Sequence, residues 1–343
     1  STYAYFSSTS ISWLKHATMY CEMIQKKLEL NAESLVIEVA SNDGYLLKNF
    51  VGTGIPCLGI EPTDSTAMAA EKLGISVQRK FFGKRLAEEL TANGKQADLI
   101  IGNNVFAHVP YINDFTLGLK TALKPNGTIT LEFAYLLSLI SNNHFDTVYH
   151  EHFSYLSLHA VRSIFKNAEL KIYGVEELST HGGSLRVYGC HQEANINVNK
   201  RVRELLIREQ EVGLLDLDIY RHFQKRAEKI KNEFLIFLLN QKIEGKSIVG
   251  YGAAAKGNTL LNYSGIKPDL LPFVCDAAPS KQGKFLPGSH IPIYSPEKLK
   301  EHQPDFVLIL PWNILDEVSE QHSYIRDWGG KFVTSIPQMR ILQ

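Results

Sequence analysis

Short apolar runs alternate with longer amphipathic stretches along most of this 343-residue chain. Residues 11 to 30 read as helix, and the apolar run from Ser34 to Val39 stops at Ala-Ser-Asn-Asp-Gly-Tyr-Leu-Leu, residues 40 to 47, a pattern that predicts strand, loop and helix. Pro56 to Ile60 predicts a second strand ending at Glu61-Pro62, and Ala97 to Gly102 a third ending at Asn103-Asn104-Val105-Phe106-Ala107-His108. A helix near Ile112 to Leu123 and the Pro125-Asn126-Gly127 turn lead into a strand from Thr128 to Phe133. Strands and helices alternating at this spacing predict an α/β fold with a parallel sheet covered on both faces.

Farther along, Ser157 to Ala168 reads as helix, and Leu170 to Leu178 and Ser184 to Cys190 as two strands close enough to pair antiparallel. A parallel sheet closed by an antiparallel pair is, by analogy of fold alone, the layout of S-adenosylmethionine-dependent methyltransferases. Lys200 to about Gly245 is charged, amphipathic and free of proline, and predicts a helical connector. Alternation then restarts: a strand from Lys246 to Tyr251, a small-residue turn, a helix beginning at Asn258, and strands at Leu271 to Cys275, Asp305 to Leu310 and Lys331 to Ser335.

Composition adds exclusions. Lys plus Arg equals Asp plus Glu at 36 each, so no overall charge favours nucleic acid or an anionic membrane. No apolar run has the length of a bilayer span. Cys21, Cys57, Cys190 and Cys275 stand singly, which argues against a zinc module or a disulfide framework and for a reducing cytoplasm. The opening STYAYFSSTS lacks the features of a signal peptide.

The candidate chemistry sits at predicted strand ends. The loop from Glu38 through Ser41, Asn42, Asp43 and Gly44 has too few glycines for a dinucleotide fingerprint, but Glu38 or Asp43 suits a cationic aminoacyl group. Glu61, followed by Pro62, suits ribose hydroxyls, and Asn103 and Asn104 line the same end of the sheet. The segment YHEHFSYLSLH, residues 149 to 159, carries three of the twelve histidines; with His108 it favours acid-base chemistry over a metal site, because no further cluster completes a coordination set. Were it fully extended, Tyr149 and Glu151 would point away from His150 and His152, so bending decides which side chains converge. Gly250-Tyr-Gly252-Ala-Ala-Ala255 satisfies GxGxxA with Asp276 after the next strand, which leaves a nicotinamide cofactor and a diphosphate held near Gly252, Ala253, Lys256, Gly257 and Asn258 both open.

In order, SNDGYLL, GIEP, NNVFAHV, YHEHFSYLSL, THGGSLRVYG, GYGAAAKGNTLLNY and KQGKFLPGSHIPI span nearly the whole chain. With them the chain resembles the sugar C-methyltransferases that act on nucleotide-linked ketosugars, the group containing the deoxysugar C3-methyltransferases. The resemblance implies a class I Rossmann-like S-adenosylmethionine domain over residues 1–195, a connector over 196–245 and a smaller Rossmann-like domain over 246–343, with the sugar nucleotide, by family weight linked to thymidine diphosphate, between them. It implies His152 as base, Glu151 as its partner, and Tyr149, Tyr3 and His108 as hydrogen-bond donors or proton relay. Ala40 stands where many related loops carry glycine. The family's N-terminal cysteine-rich zinc module has no counterpart in these residues, so no metal is expected; a monomer is. The rival functions are a nicotinamide-dependent sugar oxidoreductase or epimerase and a noncatalytic nucleotide-sugar binder.

Overall fold

The computed structural model describes residues 6–342, so Tyr3 lies outside the described residues. The chain forms two compact units: residues up to 136 with 152–212, and residues 137–151 with 213 onward.

The first unit is built on β1 (Val36–Val39), β2 (Cys57–Ile60), β3 (Ser76–Gln78), β4 (Ala97–Asn103), β5 (Leu123–Ala134), β6 (Leu170–Leu178) and β7 (Ser184–His191). Their order is β3-β2-β1-β4-β5-β7-β6. The strands run parallel from β3 to β5, and β7 is antiparallel to both β5 and β6. The α/β layout with a terminal antiparallel pair is therefore present. Every residue of β1 is buried, as a central parallel strand covered on both faces requires, and that makes its one charged member, Glu38, stand out. Ser10 caps the helix Ile11–Lys27 by accepting from the Trp13 amide. That helix buries Trp13, Ala17, Tyr20, Cys21 and Ile24 at helical spacing against Leu46, Leu47 and Phe50.

The second unit carries β8 (Ile248–Tyr251), β9 (Val274–Cys275), β10 (Ile293–Tyr294), β11 (Phe306–Ile309), β12 (Lys331–Thr334) and β13 (Arg340–Leu342). They are ordered β10-β9-β8-β11-β12-β13, parallel except for β13. The expected strand from Leu271 shrinks to two residues, and β3, β10 and β13 are too short for alternation to reveal. Helix Lys200–Glu211 belongs to the first unit, whereas helix Leu217–Ile243 lays Ala227, Ile230, Phe234 and Leu238 on the core of the second. Strand order reverses between β1 and β4 and again between β8 and β11, the places where open α/β sheets leave a crevice at their carboxyl ends.

Candidate active site

The loop leaving β1 turns sharply through Ala40, Asn42 and Gly44, whose φ values are 58°, 50° and 78°. Only glycine adopts such angles freely, so Ala40 holds a costly conformation. A Cβ on Gly44 would also lie 2.5 Å from Ile75 Cδ1. Glu61, at the end of β2, fixes the loop: its carboxylate accepts from the Asn42 amide at 3.0 Å and the Thr63 amide at 2.9 Å. Pro62 follows, half-buried. From the other side, the amides of Ser7 and Ser8 donate to Asn42 Oδ1 and Asp43 Oδ2, each at 3.0 Å.

Several buried polar atoms around this loop lack a partner. Among the described residues, neither oxygen of Glu38 has a hydrogen-bond partner, nor do Ser41 Oγ, Asp43 Oδ1 and Asn103 Nδ2. Burial pushes the Glu38 carboxyl well above the usual range, opposed by the nearby Tyr45 hydroxyl and reinforced by the carboxylates of Asp43 and Glu61. Orphaned groups of this kind are costly unless something completes them. Three carboxylates beside two unpaired amide and hydroxyl groups suit a ligand that brings a cation and hydroxyls.

Asn104, with φ 52°, lies beyond β4, its amide nitrogen 3.2 Å from His181 Nε2. The His181 ring meets Trp13 at 5.0 Å, and Trp13 stacks on both His16 and Tyr45. Beneath them lies Glu132 of β5, wholly buried, which accepts from Arg186 at 2.7 Å and Thr180 at 2.9 Å and lies 2.9 Å from His16 Nε2. Against burial, which pushes it up, the His16 hydrogen bond and the Arg186 guanidinium hold the Glu132 carboxyl below its usual range.

His108 closes a short turn after β4, and the amides of Phe153 and Ser154 donate to the Ala107 carbonyl of that turn at 2.8 and 3.2 Å. This brings the rings of His108 and His152 together edge to face, 4.7 Å between centroids, with Tyr155 5.8 Å from His152. The chain bends at His150 and Glu151, both exposed, while Tyr149 is half-buried. Downstream, Ser157 caps the helix Leu158–Asn167. The fully buried Glu209 accepts from Tyr135 at 2.9 Å and from the Leu158 and His159 amides at 2.6 and 2.9 Å. Its other contact is His159 Nδ1, at 2.7 Å.

In the second unit Gly252 has φ 91°, and a Cβ there would lie 2.3 Å from Pro311. Cβ atoms on Gly250 and Gly257 would meet Val274 at 2.7 Å and Leu310 at 2.6 Å, so the chain's own packing accounts for all three glycines. The Ala253 amide donates to Asp276, and Lys281 pairs with the same carboxylate. Asn258 Oδ1 is buried without a partner among the described residues. Lys256 points inward, donating to Asn313 Oδ1 at 2.6 Å with its ammonium 4.3 Å from the Trp312 ring centroid. Burial pushes that ammonium down to about 8, opposed by the Asp146 carboxylate.

Family models match along the length of the chain: one described as a methyltransferase domain over residues 13–175, and one described as a C-methyltransferase C-terminal domain over residues 179–337. A relative, C-methyltransferase NovU of Streptomyces niveus, is 33% identical over 340 residues, 99% of this chain and 81% of the relative. The chain belongs to the C-methyltransferase family. Similar solved structures include the PH0226 protein of Pyrococcus horikoshii, 13% identical with a TM-score of 0.45 over 55% of this chain and 94% of its own. An S-adenosylmethionine-dependent methyltransferase of Clostridium acetobutylicum is 11% identical with a TM-score of 0.41, over 52% of this chain and 92% of its own.

The cofactor of this methyltransferase is S-adenosylmethionine. The first unit has a chemistry that fits it: unpaired buried atoms of Glu38, Ser41, Asp43 and Asn103 would suit its charged and hydroxyl groups, and Glu61 beside them is held by the Asn42 and Thr63 amides. The nicotinamide reading of the second turn has no support left in the methyltransferase. Among the described residues no cluster of His, Cys, Asp or Glu is arranged to hold a metal ion, and no helix is long and apolar enough to cross a membrane. Sequence reasoning missed Glu132, Arg186, His16, Glu209, His144, Asp146 and Trp312. THGGSLRVYG marked the family without giving Arg186 a task, and the others carried no local signal.

Proposed function

We propose that the enzyme methylates carbon 3 of a nucleotide-linked 4-ketosugar, a deoxysugar joined to thymidine diphosphate, through an enolate. The observation that carries this reading is the His108–His152 ring pair in an enzyme of the C-methyltransferase family. Methylating a carbon next to a ketone requires removal of its proton, a task that an imidazole side chain suits at neutral pH. S-adenosylmethionine, when bound, supplies an electrophilic methyl group. His152 takes the carbon-bound proton, with Glu151 as its electrostatic partner. His108, Tyr149 and Tyr3 donate to the sugar oxygens, so that negative charge on the ketone oxygen is stabilised as it forms. The four free cysteines suit a reducing cytoplasm, where the enzyme acts as a monomer.

The test is exchange of the proton at carbon 3 in deuterium oxide, with a dTDP-4-keto-6-deoxyhexose and S-adenosylhomocysteine present so that methylation cannot follow. Enzyme-dependent exchange at that carbon, and a product heavier by one methyl once S-adenosylmethionine is supplied, is the expected result. Methylation on oxygen, or no exchange with any ketosugar nucleotide, sinks the reading.

A further inference from the structure

Residues 137–151 belong to the second unit, and the chain returns to the first at His152. This strap carries Tyr149 and Glu151, and it is tied down just before them by a polar knot. Asp146, wholly buried, accepts from Trp312 Nε1 at 2.7 Å. His144 stacks on the same indole with centroids 4.0 Å apart. Lys256 lies over that indole, donates to Asn313, and its charge acts on Asp146. Upstream, Arg226 donates to Asn143 Oδ1 at 2.6 Å and to the Ile140 carbonyl at 2.9 Å. Phe145 enters the apolar core of the unit, 5.3 Å from the Tyr263 ring.

These contacts fall at the carboxyl ends of β8 and β11, where the strand order of the second sheet reverses and a ligand crevice is the ordinary expectation. Here the chain's own strap has taken the position. The glycines of the turn are consumed by Pro311 and Leu310, and the lysine that a diphosphate would seek is engaged by Trp312 and Asn313.

We propose that Trp312, Lys256 and Asp146 are positioning residues that anchor the strap carrying Tyr149 and Glu151, and that Lys256 serves this anchor and not the substrate's diphosphate. The inference rests on the proposed roles of Tyr149 and Glu151. An acid-base group set back by 1 Å loses about 100-fold in rate while binding persists, so the anchor acts on kcat.

Two variants test it on the full chain. Trp312→Phe keeps a ring for His144 and Lys256 but removes the N–H that Asp146 accepts; Lys256→Met keeps the stem and removes the charge. Three readouts are taken: amide hydrogen exchange of peptides covering 144–151, calorimetric affinity for dTDP and UDP, and kcat and KM for methyl transfer to a dTDP-4-keto-6-deoxyhexose. Both variants are expected to exchange the strap about tenfold faster and to lose about 10- to 100-fold in kcat, with nucleotide affinity and KM within about twofold. Strap exchange unchanged in both variants overturns the proposal, and so does loss of dTDP affinity in Lys256→Met with exchange unchanged, which makes Lys256 an anion contact. Failure of the underlying reading looks different: Tyr149→Phe then methylates at the full rate while the strap still loosens in Trp312→Phe.

Discussion

The rings of His108 and His152 meet edge to face with their centroids 4.7 Å apart, although 44 positions separate them in the chain. His152→Ala is expected to lower methyl transfer by about 10²–10⁴-fold, and His108→Ala by less, with calorimetric S-adenosylmethionine affinity unchanged in both. Full carbon-proton exchange by His152→Ala would move the base elsewhere.

Glu38 is a buried carboxylate with no hydrogen-bond partner among the described residues. Its folded pKa is raised, so its ionisation opposes the folded state as pH rises, and Glu38→Gln removes that opposition. The variant is expected to melt a few degrees higher than the parent without ligand, yet to bind S-adenosylmethionine at least about tenfold more weakly. A lower melting temperature together with unchanged affinity would show that the carboxylate serves the fold and not the cofactor.

Arg186 and Glu132 form a buried ion pair, with side chains 3% and 0% exposed. Arg186→Met strands the carboxylate and is expected to cost about 3–5 kcal/mol in urea unfolding. Adding Glu132→Gln to that variant should restore part of the loss. Strict additivity of the two changes would contradict the coupling.

Burial, with the Lys256 charge adding to it, pushes His144 down to about 4 from an ordinary value of 6.5. A depressed histidine pKa means that the unfolded chain takes up the proton first. The stability tied to His144 is therefore present above pH 6.5 and is lost as pH falls toward 4, at most about 3 kcal/mol. Asp146, raised to about 6, acts in the opposite sense over much of the same window, gaining as pH falls, so the comparison must be between proteins. His144→Phe keeps a ring for Trp312 and should flatten the loss of melting temperature between pH 6.5 and 4 relative to the parent. Parallel profiles would remove His144 from the acid response.

Sequence by itself determined the α/β alternation, the closing pair of β6 and β7, and the placement of Glu38, Glu61, Asn103 and His108 at strand ends, because these follow from local periodicity and from where apolar runs stop. The positive φ of Ala40, by contrast, came only with the folded loop. Tertiary structure alone decided the partners. Glu132 with Arg186 and His16, Glu209 with Tyr135 and His159, and Asp146 with Trp312 join residues from 50 to 166 positions apart. No local pattern encodes such pairs, since a buried polar group takes its partner from whichever element packs against it. Lys256 shows the same limit: its turn reads as an anion site in sequence, and the folded chain adds Asn313 and Trp312 as partners of its ammonium that no local pattern announces.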